Sequence, residues 1–145
     1  MKIVICGSIN FTYEIKEIAD KLEAIGIQHE IPFTSKKILA GELAMEDFLK
    51  EKKQSGDGAF RKIQDDVIKK YYNLIKDSDG ILVANFEKNG IAGYIGGNVF
   101  LEMGFAHVYD KKIFLYNPLP EYSPYIDEIK AMYDEIISGD LEKIK

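Results

Sequence analysis

Glu102 is the residue whose surroundings demand a reason. From Val99 to Val108 the chain reads Val-Phe-Leu-Glu-Met-Gly-Phe-Ala-His-Val, and Glu102 is the only formally charged residue in that stretch. Helical spacing sets Asn98, Val99, Phe105 and Ala106 beside it, so no solvated charged face surrounds it. A carboxylate among apolar groups costs free energy unless it is paired or put to use. The plainer alternative is a first-turn glutamate complementing the helix dipole, worth roughly 0.3 to 1 kcal/mol.

Three further sets of residues could serve a ligand beside it. Gly7-Ser8-Ile9 follows the first apolar run, and a glycine there lets backbone amides approach an anion or a sugar hydroxyl; Ser8 or Asn10 could equally cap a helix. Asn85 ends the apolar run Gly80 to Ala84, where a carboxamide can donate to and accept from a ligand or tie down a loop. The segment from Glu87 to Gly97 sets Gly90, Gly93, Gly96 and Gly97 around Ile91, Tyr94 and Ile95, and can fold over a ligand or simply connect two elements. Asn98 follows directly. Gly104 costs helix stability, which points to close packing or to room for a substrate.

Other chemistries find no support. The first glycine turn lacks both the three-glycine dinucleotide pattern and the lysine of a phosphate-binding loop. His29 and His107 are too few and too isolated for a metal site. Cys6, the single cysteine, lies in an apolar run with nothing basic beside it and reads as a core residue of a reduced, cytoplasmic protein.

These residues are positioned by a recognisable order of elements. Lys2 to Cys6 is a buried strand, Phe11 to Ala24 a helix stopped at Gly26, and Ile27 to Ile31 a second strand closed by Pro32. The polar stretch with Ser35, Lys36 and Lys37 reads as a loop. Helical patterns follow around Ala40 to Lys53 and Phe60 to Lys76, parted by a Gly-rich, mobile break from Gln54 to Gly58. Gly80 to Ala84 is a strand, about Asn98 to Tyr109 a helix, Lys112 to Tyr116 a strand and Tyr125 to Tyr133 a last helix. Alternation of this kind implies right-handed crossovers and a mainly parallel sheet. The expected fold is a single-domain, doubly wound α/β sandwich of flavodoxin or Rossmann type spanning residues 1–145, with helices on both faces. Ligands in such folds gather at the carboxyl ends of the strands, where Gly7-Ser8, Asn85 and Asn117 fall.

Composition narrows the partners. With 145 residues, one core suffices and a second domain is not expected. A formal charge of −5 and no basic run longer than a pair argue against nucleic acid. No stretch approaches the ~20 apolar residues of a membrane span, and no secretory segment opens the chain. The protein is expected in the cytoplasm, away from membranes.

Gly97 to Asn117, with Glu102-Met103-Gly104-Phe105-Ala106 followed by Lys111-Lys112-Ile113-Phe114-Leu115, resembles the signature of the nucleoside 2-deoxyribosyltransferase-like superfamily. That superfamily comprises transferases that exchange bases on deoxyribose and relatives that hydrolyse the N-glycosidic bond of nucleoside 5'-monophosphates. Gly7-Ser8-Ile9 is similar to the first-loop motif of the hydrolases. The resemblance implies that Glu102 is a nucleophile that attacks the anomeric carbon and forms a glycosyl-enzyme ester, which then goes to water or to another base. It implies a small-molecule nucleoside or nucleotide as partner, no cofactor, and a homodimer or higher homo-oligomer. Such a carboxylate must be held ionised, with Ser8, Asn98, Tyr94 and Tyr13 as candidate donors. The chain departs from the family at Gly96, where relatives carry an acid or a serine for the 5' group, and at Asn85, where they carry an acid. A nucleotide-sensing module without turnover, and more distantly a glycohydrolase of NAD type, are the rivals.

Overall fold

The computed structural model describes the backbone of residues 1–54 and 58–145 and the side chains of residues 1–50 and 64–145. Four expected strands form, three as apolar runs, β1 (Lys2–Cys6), β3 (Gly80–Val83) and β4 (Lys112–Leu115), and one as the polar centre of Ile27 to Ile31, β2 (Gln28–Glu30). A short fifth, β5 (Glu135–Ile136), joins them in one sheet of order β2-β1-β3-β4-β5. Every pairing is parallel. Parallel pairing requires crossovers, supplied by α1 (Thr12–Ala24), α2 (Phe33–Leu39), α3 (Met45–Gln54), α4 (Gly58–Lys76), α5 (Gly97–Val108) and α6 (Ile126–Met132).

Strand alternation divides the core into two layers. Ile3, Ile5, Leu82, Ala84 and Phe114 face α1, meeting Ile15, Ile18 and Leu22. Val4, Cys6, Ile81, Val83, Ile113 and Leu115 face the other way, toward Tyr71 and Ile75 of α4, Val99, Met103 and Ala106 of α5, and Ile129 of α6. Residues Ile3 to Cys6 are wholly buried, as a central strand covered on both faces must be. The fold is therefore the doubly wound α/β sandwich expected. Its chain order reverses at the β1–β3 junction, and the crevice above that junction is where this architecture leaves room for a ligand.

The structure departs from the expected elements in four places. The stretch expected as a loop is helix α2: Ser35 is fully buried and its hydroxyl pairs with that of Thr12 at 2.9 Å, leaving Lys36 and Lys37 outside. Its polar composition reports the outer face, not the absence of a helix. The pattern that begins at Ala40 starts as helix only at Met45, after Gly41 takes φ 76°. A 3-10 turn (Ile9–Phe11) precedes α1. Strand β5, at two residues, is too short to show a period, and is fixed instead by Asp134, whose carboxylate accepts from the Ile113 amide at 2.8 Å. The break at residues 55–57 lies outside the described residues. Among those described, no helix is long and apolar enough to cross a membrane.

Candidate active site

The β1 turn is built by packing. A Cβ on Gly7 would stand 2.9 Å from Ile15 Cδ1 and 3.2 Å from Ala84 Cβ, so α1 and the end of β3 close tightly on this position and a side chain there would push Ile15 aside. Ser8 then caps the 3-10 turn, its Oγ accepting from the Asn10 amide at 3.3 Å. Its hydroxyl also meets Asn10 Oδ1 at 3.1 Å.

The segment after β3 is ordered by a tight turn. Lys88 and Ile91 exchange backbone hydrogen bonds of 3.1 and 3.0 Å across Asn89 (φ 54°) and Gly90 (φ 77°). Two successive positive φ angles on an Asn-Gly pair give a turn of the kind that closes hairpins. Farther on, Gly93 (φ 69°) lies against the carbonyls of Pro118 and Leu119, and the Tyr94 amide donates to Phe86 O at 2.8 Å. The turn carries the Lys88 ammonium to within 3.3 Å of Ser8 Oγ and 5.1 Å of the Tyr94 ring centre. Tyr94 in turn covers Gly96, where a Cβ would stand 3.2 Å from its hydroxyl.

These groups and the first turns of α5 border a cavity of about 340 Å³. Gly7, Ser8, Ile9, Tyr94, Gly96, Gly97, Asn98 and Glu102 all line it, which brings every expected site residue but one to a single place. The exception is Asn85. It is fully buried, its Nδ2 donates to the carbonyls of Asn117 (3.0 Å) and Pro118 (2.9 Å), and its Oδ1 accepts from the Asn117 amide at 2.9 Å. Asn117 returns a bond from its own Nδ2 to Asn85 O at 3.0 Å. The pair clamps the ends of β3 and β4 together and leaves no polar group of the Asn85 side chain for a ligand.

Glu102 is half-buried as a residue, but its Oε2 is sealed from solvent and has no hydrogen-bond partner among the described residues. Burial pushes the carboxyl pKa up to about 8, and a hydrogen bond with the Cys6 thiol at the end of β1 opposes that rise. Burial and the neighbouring Glu102 together push the thiol itself well above its usual range, so Cys6 stays protonated and inert. None of the donors expected to hold Glu102 ionised is seen to meet its Oε2 among the described residues. Asn98 Oδ1 accepts from Gln64 at 3.3 Å, Ser8 serves Asn10 and Lys88, and Tyr13 is 64% exposed. The resting carboxyl is thus mostly the neutral acid at pH 7.

The sequence reading did not reach Lys88, Tyr71, Gln64, Phe33 or Phe48, all of which line the cavity. For Lys88 the signal was present, since the Asn89-Gly90 pair marks a tight turn with Lys88 at its entry. The residues of α2, α3 and α4 carry no comparable mark, because helical spacing shows which face is apolar but not what it faces. Gly104 has open space where its Cβ would lie, so neither close packing nor contact with a neighbouring group requires glycine there.

No family model matches the chain, and no curated protein matches it. Among solved structures it is similar to the CMP N-glycosidase BcmB of Clostridium botulinum, with 15% identity and a TM-score of 0.54, over 94% of this chain and 88% of that one. It is likewise similar to a 2-deoxyribosyltransferase of the psychrotolerant bacterium Bacillus psychrosaccharolyticus, with 15% identity and a TM-score of 0.61, over 94% of this chain and 85% of that one. At that identity the likeness is one of fold. One neighbour is an N-glycosidase and the other a deoxyribosyltransferase, the two activities that the sequence resemblance names.

Two stability measurements follow. Asn85→Ala removes three side-chain hydrogen bonds and strands the Asn117 amide, so it is expected to cost roughly 3 kcal/mol, seen as a lower urea midpoint with an unchanged slope. The second concerns Glu102. The folded carboxyl keeps its proton up to about pH 8, whereas an unfolded glutamate loses it near about 4.3. Stability contributed by the protonated form is therefore present at low pH and lost as pH rises through that window. Glu102→Gln, which cannot ionise, should melt higher than the wild type at about pH 9 by at least about 1 kcal/mol, or roughly 3 °C, with the gap closing toward about pH 5.

Proposed function

We propose that the protein is an N-glycosidic bond enzyme that acts on a nucleoside or nucleoside 5'-monophosphate, with Glu102 as nucleophile at the anomeric carbon. The observation that carries this is a buried carboxyl with an unpartnered oxygen in the wall of a nucleotide-sized cavity at the β1–β3 junction. A group so placed costs stability in the free protein, which a role in folding does not repay. The fold shared with a nucleotide N-glycosidase and a deoxyribosyltransferase supports the same class of reaction.

In the reaction, an ionised Glu102 oxygen bonds to C1' as the C1'–N bond breaks, and the bonding pair leaves on the base nitrogen. The base takes up a proton from water. Water then attacks C1' of the ester, losing a proton and returning the carboxylate, or a second base nitrogen does so and completes a transfer. Positive charge develops on the sugar in both steps, and a desolvated carboxylate stabilises it more strongly than one in water. Since the resting group is mostly the acid, a bound sugar hydroxyl that donates to Oε2 shifts it toward the carboxylate.

Lys88 favours the 5'-monophosphate. It is the cationic side chain among the described residues that line the cavity, and it sits beside Ser8 Oγ, so ammonium and hydroxyl converge on one place. A phosphate there would gain charge-assisted hydrogen bonds from both.

The decisive assay incubates the protein with a panel of nucleosides and 5'-monophosphates, with and without a second base, and follows free base by chromatography. Base release is expected, reduced at least ~10³-fold in Glu102→Gln. In the wild type, kcat/KM should rise about tenfold per pH unit and level off above the free-enzyme pKa of about 8. Nucleotides that bind equally well to wild type and Glu102→Gln without any base release would sink the enzyme and leave a sensing module. Lys88→Met should raise KM for a 5'-monophosphate at least ~10-fold and leave the matching nucleoside within about twofold.

A further inference from the structure

The strand order fixes where each part of a bound nucleotide lies. Because β1 sits between β2 and β3, three connections leave the sheet side by side at the carboxyl ends: Pro32-Phe33 after β2, Gly7-Ser8 after β1, and the Lys88 turn after β3. Adjacent strands are about 4.8 Å apart, so the ends of β2 and β3 flank β1 across roughly 10 Å. Glu102 stands against Cys6, the last residue of β1, and is therefore between them. A sugar whose C1' lies over Glu102 and whose 5' end points to Lys88 must send its base toward β2.

That side is apolar and comes from four helices. Phe33 of α2, next to β2, shares the cavity wall with Phe48 and Leu49 of α3, Ile68 of α4 and Phe105 of α5. Phe33 is held in place by Tyr71, edge to face at 5.7 Å between ring centres, and by the Lys36 ammonium 5.7 Å from its own. Three of the polar side chains in this wall are engaged with other groups: Ser35 with Thr12, Tyr71 with the Ile5 carbonyl, and the Gln64 amide nitrogen with Asn98.

Resting on the N-glycosidic reading, we propose that α3 is the base-recognition element, with Phe48 and Leu49 closing the β2 side of the cavity over the base. The base is held there by stacking and outline, with little reading of its hydrogen-bonding edge. Sites of that kind discriminate weakly between isosteric ligands, whereas a site built to hydrogen-bond a particular group rejects its isostere by ~10⁴-fold or more.

The test uses cytidine and uridine 5'-monophosphates, ribo and 2'-deoxy, which differ at one exocyclic group. Base release should differ between the cytosine and uracil substrates by less than about tenfold in kcat/KM. Phe48→Ala should raise KM at least ~10-fold for both and leave the ratio of nucleotide to nucleoside activity unchanged, whereas Lys88→Met collapses that ratio. Phe48→Leu, which keeps apolar bulk and removes the ring, should fall between, with melting curves showing that both variants fold. The same substitutions in a Glu102→Gln background, titrated by calorimetry with these nucleotides, read binding without turnover. If the wild type releases no base but Phe48→Ala still weakens binding ~10-fold, the catalytic reading fails and the base wall stands. Unchanged KM and affinity in Phe48→Ala, a cytosine-to-uracil ratio beyond ~10³, or no nucleotide binding at all would each overturn the assignment of α3.

Discussion

A carboxyl group is buried above the end of the central strand with one oxygen unpartnered, and the surrounding structure follows from tolerating it. The position exists because α5 runs back across the sheet over β3 and β4, its Val99, Met103 and Ala106 buried in the same core layer as Val4, Cys6 and Val83. That packing fixes the helix axis and sends residue 102, one turn past Asn98, toward the crevice. A thiol, a weak hydrogen-bonding partner, is what the core offers it. The consequence is a group kept in its neutral form, whose ionisation becomes favourable when something polar arrives.

The rest of the cavity divides by origin. Ser8, Lys88 and Tyr94 come from the turns after β1 and β3, held by backbone hydrogen bonds and by the Asn85–Asn117 clamp, while Thr34, Ser35 and Tyr71 bring further hydroxyls from α2 and α4. Apolar groups come from helices α2 to α5. The clamp matters to the site although it does not touch it: by joining the ends of β3 and β4, it seats Gly93 against the Pro118 carbonyl and so sets the path of the segment that bears Tyr94.

Much of this was legible in the sequence, for identifiable reasons. The isolation of Glu102 could be read because helical spacing names its neighbours without any knowledge of the fold. The strands β1, β3 and β4 could be read because a strand buried on both faces is a continuous apolar run. What escaped depended on pairings distant in the chain. Asn85 has the same composition whether it meets a ligand or a second asparagine thirty-two residues on. Ser35 looks solvated until Thr12 is seen beside it. Donors for Glu102 were sought among hydroxyl and amide side chains, from Ser8 and Tyr13 to Tyr94 and Asn98, and the group that reaches it is the thiol of Cys6, whose apolar run marks it only as a core residue.

The Lys88 turn has a bearing on how such a protein could change over time. Its shape comes from two residues, Asn89 and Gly90, and from a two-bond ladder that closes on itself. The carboxyl, by contrast, is embedded in a helix whose neighbours form half the core. A short surface hairpin can be lengthened, shortened or re-lettered without disturbing that helix. On the proposed reading, affinity for the charged end of a ligand is thus mechanically separate from the chemistry at its centre, and such a scaffold could drift between phosphorylated and unphosphorylated ligands by edits to a handful of residues.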